Sequence, residues 1–141
     1  MFIDAQNLFS DAQSLTATAA STNVIDLKAE RKLGTGEPMA VVIVFDVALA
    51  GTTPTFAAAL QSDSADSFGS AATVATSPTL SAAAAGYKLV LPIPPGIATE
   101  SYVRLYYTLG GTSPTATVTA FLTAMSMIQN DAVYADNITI S

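Results

Sequence analysis

The sequence predicts an all-β protein, an antiparallel jelly-roll β-sandwich of about eight strands with an extended N-terminal arm. Three observations predict it. From Ser101 to Thr108 the residues alternate, with Val103, Leu105 and Tyr107 on one side and Tyr102, Arg104 and Tyr106 on the other, as in a strand with two unlike faces. Met39 to Leu49 is a continuous apolar run, β-branched at Val41, Val42, Ile43 and Val44, as in a strand at the centre of a sheet. Gly and Pro punctuate the chain roughly every dozen residues, and almost no segment carries a convincing helical stripe.

In chain order, Asp4-Ala5-Gln6 and Asp11-Ala12-Gln13 open the sequence without a sustained apolar stripe. Residues 1–21 therefore read as an arm with at most a turn or two of helix. Its apolar residues Phe2, Ile3, Leu8 and Phe9 need a surface, either their own sandwich or a neighbouring subunit. The sandwich itself reads as residues 22–127. Asn23 to Leu27 predicts a short first strand, and Gly34-Thr35-Gly36-Glu37-Pro38 a turn that aims Glu37. That turn has glycines but no following Gly-Lys-Ser/Thr and no helix to open, so it is not a phosphate loop. After the run to Leu49, Gly51-Thr52-Thr53-Pro54 predicts a turn and Thr55 to Gln61 a further strand. Asp63-Ser64-Ala65-Asp66-Ser67 has two aspartates but no closing glutamate, which makes it a solvated loop rather than a calcium loop. Ser70 to Thr76 and Tyr87 to Leu91 predict strands, the second ended by Pro92, Pro94 and Pro95.

The stretch from Glu100 to Met125 predicts a β-hairpin, its turn at Leu109-Gly110-Gly111-Thr112-Ser113-Pro114. Its second strand places Ala116, Val118, Ala120 and Leu122 inward. Thr115, Thr117, Thr119, Phe121 and Thr123 face outward. Residues 128–141 read as a C-terminal tail or edge strand.

Composition narrows the function. Only 11% of the 141 residues are charged, against about 25% in ordinary soluble domains, and Ala, Ser, Thr and Gly fill the difference. Such a surface suits coverage by other protein copies. The chain contains no Cys, His or Trp, which removes the commonest general base, the commonest transition-metal ligand and all thiol chemistry. The sequence singles out no catalytic, cofactor-binding or metal-ligating residues. A net charge of −6 with five basic residues leaves no stripe to neutralise phosphates, so nucleic acid is not an expected partner. Met39 to Phe45 is far too short to span a bilayer. Met1-Phe2-Ile3-Asp4 lacks the pattern of a secretory signal, so the expectation is a protein made and used in the cytosol or carried out by lysis.

The opening Asp4 to Gln13, the block from Ile25-Asp26-Leu27 through Arg31 to Gly34-Thr35-Gly36-Glu37-Pro38, and Tyr102-Val103-Arg104-Leu105 running into Tyr107 to Gly111 resemble the cement, or decoration, proteins of short-tailed bacteriophages. The resemblance covers most of the chain, with the middle, Gly51 to Ala85, matched by strand spacing alone. It implies a jelly-roll protein on the outside of the virion that bridges neighbouring major capsid subunits and strengthens the expanded shell. It implies no catalysis, cofactor or small-molecule substrate. Such proteins act as small oligomers on local symmetry axes, a homodimer being favoured here and a homotrimer the alternative. Within that reading the expected partner-binding residues are Phe2, Asn7, Leu8, Phe9, Arg31, Glu37, Tyr102, Arg104 and Tyr106. Two other readings compete. A carbohydrate-binding sandwich needs Tyr102, Tyr106 and Phe121 on one exposed face. An enzyme needs paired acids, and Asp46, Asp63, Asp66 and Glu100 have no spacing that commits them to one site.

Overall fold

The structure, a computed structural model, describes residues 8–26, 31–33, 39–93 and 97–124. Nine β elements account for its regular structure: β1 (Leu8–Leu15), β2 (Ala19–Ala20), β3 (Ile25–Asp26), β4 (Arg31–Leu33), β5 (Met39–Asp63), β6 (Ala72–Thr76), β7 (Lys88–Pro92), β8 (Ile97–Thr99) and β9 (Tyr102–Ala124). Seven form one antiparallel sheet, and β4 with β8 forms a separate pair. The all-β class is as the sequence predicts. The predicted C-terminal segment 128–141 lies outside the described residues.

The sheet is built on β5 and β9, which pair antiparallel from Met39 opposite Ala124 to Asp63 opposite Tyr102. Neither is straight. Phe45 and Phe56 lie eleven residues apart on β5, which full extension would separate by roughly 36 Å, yet their rings meet edge to face with centroids 4.9 Å apart. On β9, Ala120 pairs with Ser10 of β1, while the Ser10 hydroxyl lies 2.7 Å from that of Tyr107, thirteen residues earlier. The paired strands therefore double back together, and the inner faces of both halves share one core. That core joins Val41, Ile43 and Phe45 from one half to Phe56, Leu60, Val103, Leu105 and Tyr107 from the other.

The bend has a sequence cause. Gly51-Thr52-Thr53-Pro54-Thr55 on β5 and Gly111-Thr112-Ser113-Pro114-Thr115 on β9 are nearly the same pentapeptide. Both copies carry the same backbone signature, with φ at 129° and 46° for Gly51 and Thr53 and 94° and 50° for Gly111 and Ser113. Successive register shifts between Phe45 and Thr55 lie at this crossing. The glycines are needed reciprocally. A Cβ on Gly51 would come within 2.9 Å of the Ser113 carbonyl oxygen, and one on Gly111 within 2.4 Å of the Thr53 carbonyl oxygen. Each copy leaves out a side chain where the other's backbone passes.

This geometry overturns the predicted hairpin. Residues on the two sides of Gly110-Gly111 do not pair with each other; both sides pair with β5. Gly-Gly and Pro do interrupt the strand, but they carry it across the bend instead of reversing it. The turn predicted at Gly51 to Pro54 is the same feature on β5.

The arm is also revised. From Leu8 onward it is β1, paired with β9, and Phe9 and Leu15 are buried in the core. Register shifts between Leu8 and Gln13, with φ 47° at Ala12, break the alternation that would have marked a strand. The Ala12 amide donates to Thr119 Oγ1 at 3.0 Å, and that hydroxyl donates to Asp46 Oδ2 at 2.5 Å, so the bulge is held from β9 and β5. A second network secures β1 from inside. The Ser10 hydroxyl bridges Tyr107 to Gln13 Oε1, which also accepts the Thr22 amide, while Gln13 Nε2 donates to the Ala20 carbonyl. Burial pushes the Tyr107 phenol above the ordinary tyrosine range, with the Ser10 contact opposing.

Candidate binding face

In the half of the sheet where β9 begins, strand alternation sends Val103, Leu105 and Tyr107 into the core and leaves Tyr102, Arg104 and Tyr106 half-buried on the outer face, as predicted. β5 supplies their neighbours in register: Asp63 opposite Tyr102, Gln61 opposite Arg104, Ala59 opposite Tyr106. The small Ala59 leaves the larger side chains to form the relief of this face.

Arg104 is held from three sides. Its Nε–H donates to Gln61 Oε1 at 3.0 Å, its guanidinium carbon lies 4.3 Å from the centroid of the Phe68 ring, and the Tyr106 ring is at 5.6 Å. Both ring distances fall within the reach of cation–π attraction. Phe68 comes from the loop after β5, and only 6% of it is exposed. Its φ of 54° is unusual for a bulky side chain.

Asp63 maintains that loop. Its Oδ2 accepts the Ser70 amide at 2.7 Å, and Oδ1 accepts the Ala65 amide at 3.2 Å and the Ser64 hydroxyl at 3.4 Å. The Ser70 amide is the main cause that holds this carboxyl below the usual carboxylate range, against opposing desolvation. Asp63 is thus a clip for its own loop, while Asp66 points to solvent exposure. Among the described residues no cluster of three or more His, Cys, Asp or Glu is placed to hold a metal ion.

The remaining expected contact residues are not gathered here. Leu8 is half-buried opposite Phe121 in the other half of the sheet. Phe9 is a correction: its ring is fully buried in the chain's own core, because the β1 bulge turns it inward. Arg31 lies in β4 opposite Thr99, with its side chain outside what is described. Phe2, Asn7 and Glu37 lie outside the described residues. Phe121 is a second correction. It is 1% exposed and on the other half of the sheet, so it forms no sugar platform with Tyr102 and Tyr106. Sequence reading missed Gln61 and Phe68. The only signal for Phe68 is a lone aromatic in a loop of Ser, Asp and Gly.

Fold and face together define a small all-β protein with a doubled-back antiparallel sheet and one aromatic and arginine-bearing outer face. The chain belongs to the Bbp16 family, which it matches over residues 9–122. No curated protein matches it.

Proposed function

We propose that the folded sheet is a jelly roll and that the protein is a structural cement on the outer surface of a bacteriophage capsid. The strand pairing supports the first part. With β2 and β3 taken as one segment, and β5 and β9 each divided at the bend, the sheet has eight segments in chain order. The first pairs with the eighth, the second with the seventh, the third with the sixth and the fourth with the fifth. The third and fourth also pair with the eighth and seventh. A nested hairpin rolled onto itself in this manner supports the jelly-roll reading.

The observation that carries the second part is the Tyr102-Arg104-Tyr106 face. It is aromatic, and its arginine is held by Gln61, Phe68 and Tyr106, on a chain with only 11% charged residues. Aromatic residues and arginine are the types enriched where proteins bind proteins. The resemblance of the opening, Gly34 to Pro38 and Tyr102 to Gly111 blocks to phage cement proteins supports the same reading. The partners are then the major capsid protein and other copies of this chain, as a homodimer or, alternatively, a homotrimer. Cementing works by mass action. A subunit that binds only the expanded shell stabilises it by about 2.7 kcal/mol per site at a hundredfold excess over Kd. Purified protein added to expanded empty shells is expected to bind and raise their melting temperature. Unchanged shell stability sinks the proposal.

A further inference from the structure

Arg104 poses a problem of charge that the fold does not resolve. The chain is acidic overall, with 11 acids against five bases. Yet the described contacts of Arg104 are an amide oxygen and two rings, none of them a carboxylate. Two acids flank it in register, both opposite Tyr102: Asp63 on β5, whose oxygens serve the Ser70 and Ala65 amides, and Asp26 on β3, which has a contact of its own. Neither acid is among the described contacts of Arg104.

The same contacts determine how the guanidinium can be used. Gln61 takes the Nε–H, and the two rings limit the motion of the planar group. Of the five N–H donors of an arginine, the remaining four sit on the two Nη atoms, a fork that matches the two oxygens of a carboxylate. Holding the fork in advance reduces the ordering entropy lost on binding. The Asp63 clip acts one step further out by fixing the loop that brings Phe68 over Arg104.

We propose that the Arg104 fork, positioned by Phe68, Tyr106 and Gln61, is the anchor for a single carboxylate side chain presented by the capsid subunit. This rests on the cement reading above. The charge balance favours a lone carboxylate over a polyphosphate: the other cation among the described side chains, Lys88, is on β7 in the other half of the sheet. A molecule with a net charge of −6 repels a polyanion.

Two measurements test the anchor. The first is affinity for expanded empty shells, with Arg104→Lys and Arg104→Ala compared at matched melting temperature. Both variants are expected to weaken binding on the order of a hundredfold, because lysine keeps the charge but loses the fork. Wild-type binding with unchanged Arg104→Ala binding overturns the anchor and leaves the cement reading standing. Full affinity in Arg104→Lys also overturns it, since a point charge then suffices. The second needs no shell. The 15N side-chain signals of Arg104 are followed as a blocked peptide containing one glutamate is added, with the glutamine version and inorganic phosphate as controls. A saturable shift with glutamate alone supports the anchor even if the shells prove to be the wrong partner. No shift, or a stronger response to phosphate, overturns it.

Discussion

The two halves of the sheet bury their strands differently. In the half containing the start of β5, Ala40, Val41, Val42 and Ile43 are all fully buried, and Phe121 and Thr123 opposite them are buried too. Both faces are covered, which is why that segment reads as an unbroken apolar run. In the half containing the start of β9, burial alternates, and one face keeps Tyr102, Arg104 and Tyr106 half-open. The first half contributes hydrophobic burial on two sides; the second buries one side and leaves open the face proposed above for recognition.

The largest expected effect comes from the point where the halves meet. Phe56→Ala removes a ring packed on both Phe45 and Tyr107 and is expected to cost about 3–5 kcal/mol. Denaturant unfolding should show one transition for the whole sheet. Two separate transitions would show the halves to be independent.

Next in size is the bend. Gly111→Ala places a Cβ against the Thr53 carbonyl at a residue with φ 94° and is expected to cost about 1–3 kcal/mol from backbone conformation alone, read as a lower melting temperature. Gly86→Ala is the control: φ is 87° there too, but no atom lies within 4 Å of the added Cβ. Equal losses at both sites would mean that strain, and not the clasp between the two pentapeptides, determines the cost.

Titration then distinguishes inner from outer contacts. Tyr107 loses its proton at higher pH when folded than when unfolded. Its contribution is therefore complete below the unfolded tyrosine value of about 10 and is lost as pH rises beyond it towards the folded value. Tyr107→Phe should flatten that alkaline decline and cost roughly 1 kcal/mol at neutral pH through the lost Ser10 hydrogen bond. Asp63 has the opposite sign. Its lowered folded value makes its contribution present above about pH 4 and lost as pH falls through the folded value. Asp63→Asn should remove that acid dependence, measured by urea unfolding across pH.

The smallest expected effect on stability is at the face itself. Arg104→Lys should change it by about 1 kcal/mol or less, measured by thermal unfolding, while shell affinity falls far more. A large stability loss would place Arg104 with the structural residues and erase the division between the halves.

Much of this plan was legible in the residues. Alternation at Tyr102 to Tyr107 assigned each side chain to the correct face, and the β-branched run at Val41 to Val44 marked the doubly covered strand. Three features were not. The burial of Phe9 is hidden because register shifts between Leu8 and Gln13 disrupt the strand's period of two. Gly110-Gly111 looked like a hairpin turn because a local break in a strand has the same composition whether the chain reverses or crosses over. The environment of Arg104 was hidden because Gln61, 43 positions away, and Phe68 reach it only through long-range pairing.

The all-β class, the inward and outward residues of the clearest strands, the low charge and the residue types available for chemistry can all be read along the chain. These follow from local periodicity and composition, which need no partner strand. Which segments pair, the doubling back of β5 and β9 around two matching pentapeptides, and the seat of Arg104 between Phe68, Tyr106 and Gln61 emerge with the folded chain. Strand pairing joins residues far apart in the chain, and periodicity names a face without naming what lies against it.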